Sequence, residues 1–327
     1  MKITIAYRDR NGNIEQELCP WAHAIRQRSR SLRWESRACE LVEDATFWNS
    51  DGLAEYERQI VLDYFATIRR VSVFVEACSH SLLRVIDNRA CELCFLQQAS
   101  DAIRHYDLVE YCRQEFGIVP PVEPNRTPDE YEKLFEKWEK DLLSQDDEFV
   151  RLVSHIEYAH ILAEAVIGVA GHTIINELKI SERLKDMSGA MHLVMCDFAR
   201  HRLLAAGIIR ILKGSWTSKK KKAQREKLIA DVKSCVGSAC AYVERVCTEQ
   251  AIPAETIDAV CLEIRRSADF TLDQFDIPCQ FKTDGSPAWI KVVDMFEDAA
   301  QEYDEFMDEA MEKVAASSLA EVRKQVE

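Results

Sequence analysis

Two short stretches of the chain carry one ionisable pattern: "SDAIRHY" at residues 100–106 and "CDFARHR" at residues 196–202. Each contains Asp-x-x-Arg-His, once as Asp101, Arg104 and His105 and once as Asp197, Arg200 and His201. Residues four apart share a helix face, so each aspartate and its histidine point the same way. A carboxylate beside an imidazole can hold a proton, form a buried ion pair or bind a metal ion. Two more carboxylates stand alone among apolar residues. Glu164 is the only charge in "ILAEAVIGVAG" (161–171), and Glu76 the only one in "VSVFVEACSHSLL" (71–83). Burying a bare carboxylate costs roughly several kcal/mol, so each must be paired, protonated or metal-bound.

Such side chains meet only if long helices carry them. Gly (10) and Pro (8) are scarce, and the apolar periodicity predicts helices near 52–86, 89–116, 147–179, 182–213, 221–250 and 253–273. A shorter helix near 128–144 follows the Pro-rich break "GIVPPVEPNRTP", and a last one runs near 286–322. Two helical hairpins, 52–116 and 147–213, each end in an Asp-x-x-Arg-His helix. A first turn near 87–88 sets residue 76 opposite about residue 99, within a turn of Asp101. A second near 180–181 sets Glu164 opposite Asp197 and His160 opposite His201. The candidate metal set is therefore Glu76, Asp101, His105, Glu164, Asp197 and His201. Four carboxylates and two histidines are the ligand complement of a carboxylate-bridged di-iron centre. His160, one turn from Glu164, stands between ligand and satisfied core residue. His155, His172 and His192 are expected at helix surfaces or in satisfied core positions, and His80 lies too near the turn.

The predicted fold is all-α, a ferritin-like antiparallel helical bundle built from a duplicated hairpin. Residues 1–50 form an N-terminal hairpin and arm, and residues 51–327 the helical domain. The hairpin rests on alternation on both sides of Asn11-Gly12. Charged residues make up 30% and apolar ones 47% of the 327, the balance of a soluble globular protein, and the net charge is −14. The basic run "SKKKKAQREK" (218–227) is expected to be a solvated helix face, and no nucleic-acid partner is expected. Apolar runs such as "LLAAGIIRIL" (203–212) fall short of the ~20 residues of a membrane span, and "MKITIAYRDR" lacks a signal-peptide core. A cytoplasmic location with no membrane partner is the expectation. The 12 cysteines mostly fall among apolar helix neighbours and are expected as small hydrophobes; Cys91-x-x-Cys94 has no second pair at zinc spacing.

These motifs resemble a known group, the ribonucleotide reductase-like branch of the ferritin superfamily, over most of residues 52–310. The branch includes the reductase small subunit and the hydroxylase subunits of bacterial multicomponent monooxygenases. "DGLAEYERQIVLDYFATIRR" (51–70) looks like the helix entering the first ligand helix. "ELCFLQQASDAIRHYDLVEY" (92–111) and "AMHLVMCDFARHRLLAAGIIRIL" (190–212) look like the helices bearing an Asp-Glu-x-Arg-His motif. The resemblance implies iron-binding roles for His105 and His201, orienting roles for Asp101 and Asp197, and a bridging-helix role for Glu164. The two motif glutamates fall on Ala102 and Phe198, which bind no metal. The radical tyrosine of the reductase subunit falls on Val109, and its tyrosine-bearing tail has no match in the closing "SSLAEVRKQVE".

Two readings follow. In the first, the chain is similar to the metal-free β-type hydroxylase subunit: the Asp-x-x-Arg-His residues form a satisfied buried network, Phe198 fills the volume left by metal, and the partner is a catalytic hydroxylase subunit or a second copy. In the second, Asp101 and Asp197 join Glu76, Glu164, His105 and His201 around iron in a non-haem oxygenase that hydroxylates or N-oxygenates a small substrate. A divergent reductase-like or ferritin-like binding role is the remaining alternative.

Overall fold

A computed structural model describes residues 34–118, 127–214, 216–288 and 290, with residues 3–4, 7–8, 14–15, 22 and 24–27 of the N-terminal arm. Its helices are α1 Val42–Trp48, α2 Glu55–Leu83, α3 Arg89–Glu115, α4 Asp129–Ser144 and α5 Glu148–Glu157. Then come a π-helical stretch, Tyr158–Gly168, that runs into α6 Val169–Glu177, and α7 Lys185–Gly214, α8 Ser218–Glu249 and α9 Ala254–Gln274. The protein is an all-α bundle, as the periodicity predicts, and most helix ends fall close to the expected ones.

Local chemistry fixes those ends. The Asn88 side chain accepts from the Cys91 N–H at 3.1 Å and starts α3. Asp147 accepts from Phe149 and Val150 N–H at 3.0 and 3.1 Å and starts α5. Helix α7 is capped from elsewhere: the buried Asp44 of α1 accepts the Met187 N–H at 2.7 Å. The short helix α1 was not expected, because seven residues show too little periodicity to be seen in the sequence.

The continuous helix Glu148–Glu177 is the axis of the fold. By length and composition it is apolar enough to cross a membrane, which the apolar runs of the sequence did not suggest, yet its apolar window is 100% buried, as in a core helix. Glycine lets its neighbours approach. A Cβ on Gly171 would lie 2.3 Å from Cδ2 of Tyr64 in α2, and one on Gly168 would lie 2.7 Å from Cε2 of Phe198 in α7. The main core packs α2, α3, α4, α7, α8 and α9 around this axis. A smaller one, with Leu82, Ile86, Phe95, Leu152, Leu204 and Ala22, closes the end near the α2–α3 turn.

Four two-residue strands accompany the helices: β1 Ile3–Thr4, β2 Tyr7–Arg8, β3 Ile14–Glu15 and β4 Ile86–Asp87. At the α2–α3 turn β1 pairs in parallel with β4, tying the arm to the bundle. Strands β2 and β3 pair antiparallel, with Tyr7 opposite Glu15. The Asn11-Gly12 turn between them lies outside the described residues, as does nearly all of the predicted 286–322 helix. The described cysteines are free thiols; Cys94 Sγ donates to the Ala22 carbonyl at 3.2 Å.

Candidate functional site

The two motifs meet in the middle of the bundle, and they exchange partners. Asp197 of the second copy pairs with His105 of the first, Nε2 to Oδ2 at 2.9 Å. Asp101 of the first pairs with His201 of the second, Nε2 to Oδ2 at 3.3 Å. Arg104 bridges both aspartates, donating from Nη2 to Asp101 Oδ1 at 2.6 Å and to Asp197 Oδ2 at 3.0 Å. Arg200 pairs with Asp197. All six residues are buried.

Glu164 comes in from the π-helical stretch and receives two imidazoles. His201 Nδ1 reaches Glu164 Oε1 at 2.7 Å, and His160 Nδ1 reaches Glu164 Oε2 at 2.8 Å. The residue count across the hairpin paired Glu164 with Asp197. Helical side chains lean toward their own N-terminus, so on antiparallel helices Glu164 and His201 lean toward each other and meet instead. Five of the six predicted metal candidates, Asp101, His105, Glu164, Asp197 and His201, thus fall in one connected network.

Glu76 does not join it. Its side chain is 38% exposed, and it lies 3.9 Å from the His80 ring on the next turn. The misreading has a physical cause. Val73 in the same apolar run is 47% exposed, so hydrophobicity around Glu76 marks an outward stripe of α2 rather than the core. The inward stripe carries Val71, Phe74, Val75 and Cys78, so α2 offers no buried carboxylate at this level.

Three participants were not predicted as site residues. His160 was left open between ligand and core. Trp34, in the arm, donates its indole N–H to Asp197 Oδ2 at 3.1 Å. Its ring stacks 6.0 Å from His105 and lies 4.7 Å under the Arg104 guanidinium. Gln97 donates to Asp101 Oδ1 at 2.7 Å. The signal for Gln97 was present, four residues before Asp101 on one face. For Trp34 there was none, because a residue in an irregular arm carries no periodicity.

Protonation follows the partners. Burial opposes a charge on His201, but Glu164 and Asp101 on its two nitrogens raise it to about 9. Burial likewise opposes ionisation of Glu164, but the charges and hydrogen bonds of His201 and His160 hold it down to about 2. Asp101 is held to about 2 against its burial, chiefly by His201 and then Arg104. His105 goes the other way: burial, and then the positive His201, press it down to about 3. At pH 7 the Asp101 and Glu164 carboxylates and the His201 imidazolium are therefore charged, and His105 is neutral. Arg202, on the next stripe of α7, turns toward Thr271 instead, at 3.5 Å.

The donor set does not fit a dinuclear metal centre. Ala102 and Phe198 stand where the motif glutamates would be, and Glu76 faces outward. Phe198 is buried, packing edge-on against His105 with ring centroids 5.4 Å apart and filling the space that Gly168 leaves. Two divalent ions would also add about four charges to a buried group whose carboxylates are already paired with Arg104, Arg200 and His201. One subset has metal-ligand character: a nitrogen from each of His160 and His201 and a Glu164 oxygen lie within 4.8 Å of one another.

An all-α bundle with paired Asp-x-x-Arg-His helices around a buried carboxylate defines the class of ferritin-like helical proteins. Within it, residues 13–287 match the family model of the ribonucleotide reductase small chain, and the chain belongs to that family. Among solved structures it is similar to the ribonucleotide reductase R2 subunit from Clostridium botulinum, with a TM-score of 0.69 and 15% identity over 89% of this chain and 91% of that one. The dimanganese(II)-NrdF of Streptococcus sanguinis gives 0.69 and 13% over 84% and 94%. A mutant R2-like ligand-binding oxidase with an anaerobically reconstituted Mn/Fe cofactor gives 0.62 and 14% over 80% and 94%. A comparison with curated proteins finds no match. At such identities the likeness is one of fold.

Proposed function

We propose that this chain is a non-reductase member of its family, in which the paired motifs act as a structural core rather than as a dinuclear metal centre. Its role is that of a β-type, structural subunit, assembling with a second copy of itself or with a catalytic hydroxylase subunit in the cytoplasm. The observation that carries this reading is the exchange of partners between Asp101–His201 and Asp197–His105, whose charges close through Arg104 and Arg200. A buried network of this kind is self-maintaining, since removing one member strands another. Val109 at the position of the family's radical tyrosine supports the same reading. Pairing of subunits is supported by Val73 on α2 and Leu96 and Ile103 on α3, each close to half exposed.

The test is metal content after anaerobic loading with ferrous and manganous ions, with the assembly state followed by native mass spectrometry. The proposal expects fewer than two ions per chain and a specific oligomer whose formation does not depend on metal. Two ions per chain would sink it. A second reading, a non-haem iron oxygenase carrying out hydroxylation or N-oxygenation, is favoured by one observation, the His160–Glu164–His201 group. It predicts oxygen consumption by the iron-loaded protein with a reductant and a small aromatic substrate, and failure of Glu164→Ala to support it.

A further inference from the structure

We propose that the cleft between the C-terminal half of α7, the start of α8 and the residues just after α9 binds a phosphate monoester with an apolar body. None of its lining residues belongs to the Asp-x-x-Arg-His network, so the proposal stands apart from any question of metal.

The cleft has a volume of about 280 Å³, near the roughly 300 Å³ at which small-molecule sites begin. Part of its lining is apolar: Ile209 and Ile277 are buried and Phe275 is half-buried. The rest is basic, with Arg210 and Lys213 from α7 and Lys221 and Arg225 from α8 against a single carboxylate, Asp276. In a chain of net charge −14, four cations around one cleft run against the composition of the whole. An apolar wall beside convergent charged groups is the usual build of a site for an amphiphilic ligand.

Two of the four cations are already matched. Lys213 Nζ donates to Glu157 Oε1 at 2.7 Å, and Arg210 donates from Nε and Nη2 to Asp276 Oδ2 at 3.3 and 3.2 Å. The other two are not. Arg225 meets a neutral acceptor, donating from Nη2 to the Asp276 carbonyl at 3.0 Å, and Lys221 makes no side-chain ion pair among the described residues. Asp276 holds both arginines from the left-handed region, at φ 58°. Lys221 and Arg225 stand four apart on α8, where like charges repel. Lys221 also lies in a first turn that has no acidic residue, at the helix end whose dipole favours anions. The bare pair therefore costs stability that a bound anion would offset. Neighbouring lysines of the same basic run are engaged elsewhere: Lys220 pairs with Asp147 at 2.7 Å and lies over the Trp216 ring, and Lys222 lies 3.8 Å from Glu226. The run is thus not the uniform solvated face that its composition suggests. Two unmatched positive charges suit a dianion, and a phosphate monoester carries roughly −1.5 to −2 at pH 7. A carboxylate would leave one charge over, and inorganic phosphate would leave the wall of Ile209, Phe275 and Ile277 uncovered.

The experiment titrates the full-length protein with phenyl phosphate by calorimetry at low ionic strength, with inorganic phosphate and an oligoglutamate peptide as comparison ligands. The wild type is expected to bind one phenyl phosphate per chain, ~10-fold or more tighter than inorganic phosphate, because the ring covers the apolar wall. Lys221→Gln and Arg225→Gln are each expected to weaken binding by ~10-fold or more, the scale of a hydrogen bond to a charged group. Lys222→Gln removes the same charge one residue away and is expected to leave the affinity unchanged. Circular dichroism establishes that each variant folds. No saturable binding by the wild type overturns the proposal. Equal weakening by Lys222→Gln overturns it as well, because a diffuse positive field would then be at work rather than a site. Equal affinities for phenyl and inorganic phosphate overturn it too. Tighter binding of the oligoglutamate peptide overturns the small-ligand assignment and makes the cleft a docking point for an acidic partner.

Discussion

The two Asp-x-x-Arg-His copies occupy matching places in matching hairpins, yet one histidine is charged and the other is not. His201 has a carboxylate on each nitrogen and stays protonated to about pH 9. His105 has Asp197 on one nitrogen, the indole of Trp34 stacked on its face and Phe198 at its edge, and stays neutral down to about pH 3. The difference arises from what each hairpin lends. The second contributes Glu164 from a buried helix, while α2 of the first turns Glu76 outward. A repeated motif is therefore not a repeated site. The same letters hold a proton in one copy and exclude it in the other because a single neighbouring carboxylate is present or missing.

Breaking the aspartates should give the largest effects, and unequal ones. Asp197 accepts from Trp34, Arg104, His105 and Arg200, so Asp197→Ala leaves two guanidiniums without their shared acceptor. We expect a loss of about 3–5 kcal/mol in urea unfolding, the scale of a broken buried ion pair. Asp101→Ala should cost less, because Arg104 keeps Asp197 and His201 keeps Glu164. Equal losses would remove the asymmetry.

The packing around Phe198 comes next. Phe198→Ala should cost about 3–5 kcal/mol if the space stays empty, and less if the structure collapses. Gly168→Ala presses a methyl into the Phe198 ring and should cost about 1–3 kcal/mol, relieved by the smaller Phe198→Leu in the double variant. Thermal unfolding of the three variants checks both; additive losses in the double variant would rule out the contact.

Stability should also depend on pH in a way that separates the copies. His201 has a folded pKa raised to about 9 from 6.5, so its contribution is complete below about 6.5 and disappears as pH rises through 9. His105, lowered to about 3, disfavours the folded state as pH falls from 6.5 toward 3, because only the unfolded chain takes up its proton. Asp101 and Glu164, both held to about 2, stabilise above their unfolded values of 3.8 and 4.5, and that contribution is lost as pH falls toward 2. A maximum near pH ~6–7 is expected from these groups. His201→Gln should flatten the alkaline limb and His105→Gln the acid limb between about 6.5 and 3; denaturant midpoints across pH would show whether each change is confined to its own side. The smallest effect belongs to Trp34→Phe, which keeps the stacked ring and loses one hydrogen bond, at about 1 kcal/mol. It is measured the same way, and no change would mean that the indole N–H contributes little.

How much of this was legible in the sequence depended on periodicity. The long helices were, because roughly 20 or 30 residues of apolar pattern leave little choice of face. The duplicated motif was, because identical residues at identical spacing are visible without a structure. The exchange of partners was not: intrahelical spacing shows that Asp101 and His105 share a face, but not that each prefers the other motif's partner across the bundle. Glu76 was misplaced because the apolar run around it includes exposed Val73. Trp34 was out of reach because nothing in an irregular arm says which helix it will touch. His160 was half legible, with its face read correctly and its orphaned Nε2 visible only in three dimensions.

The most direct measurement is the protonation of the two motif histidines in the metal-free protein, by nitrogen-15 NMR of imidazole-labelled chain, assigned with His105→Gln and His201→Gln. A closed buried charge cluster predicts that at pH 7 His201 carries protons on both nitrogens while His105 is neutral with its proton on Nε2 toward Asp197. A neutral His201 at pH 7, or a His105 that titrates near its ordinary 6.5, would contradict it, because the charges of the cluster would then no longer close.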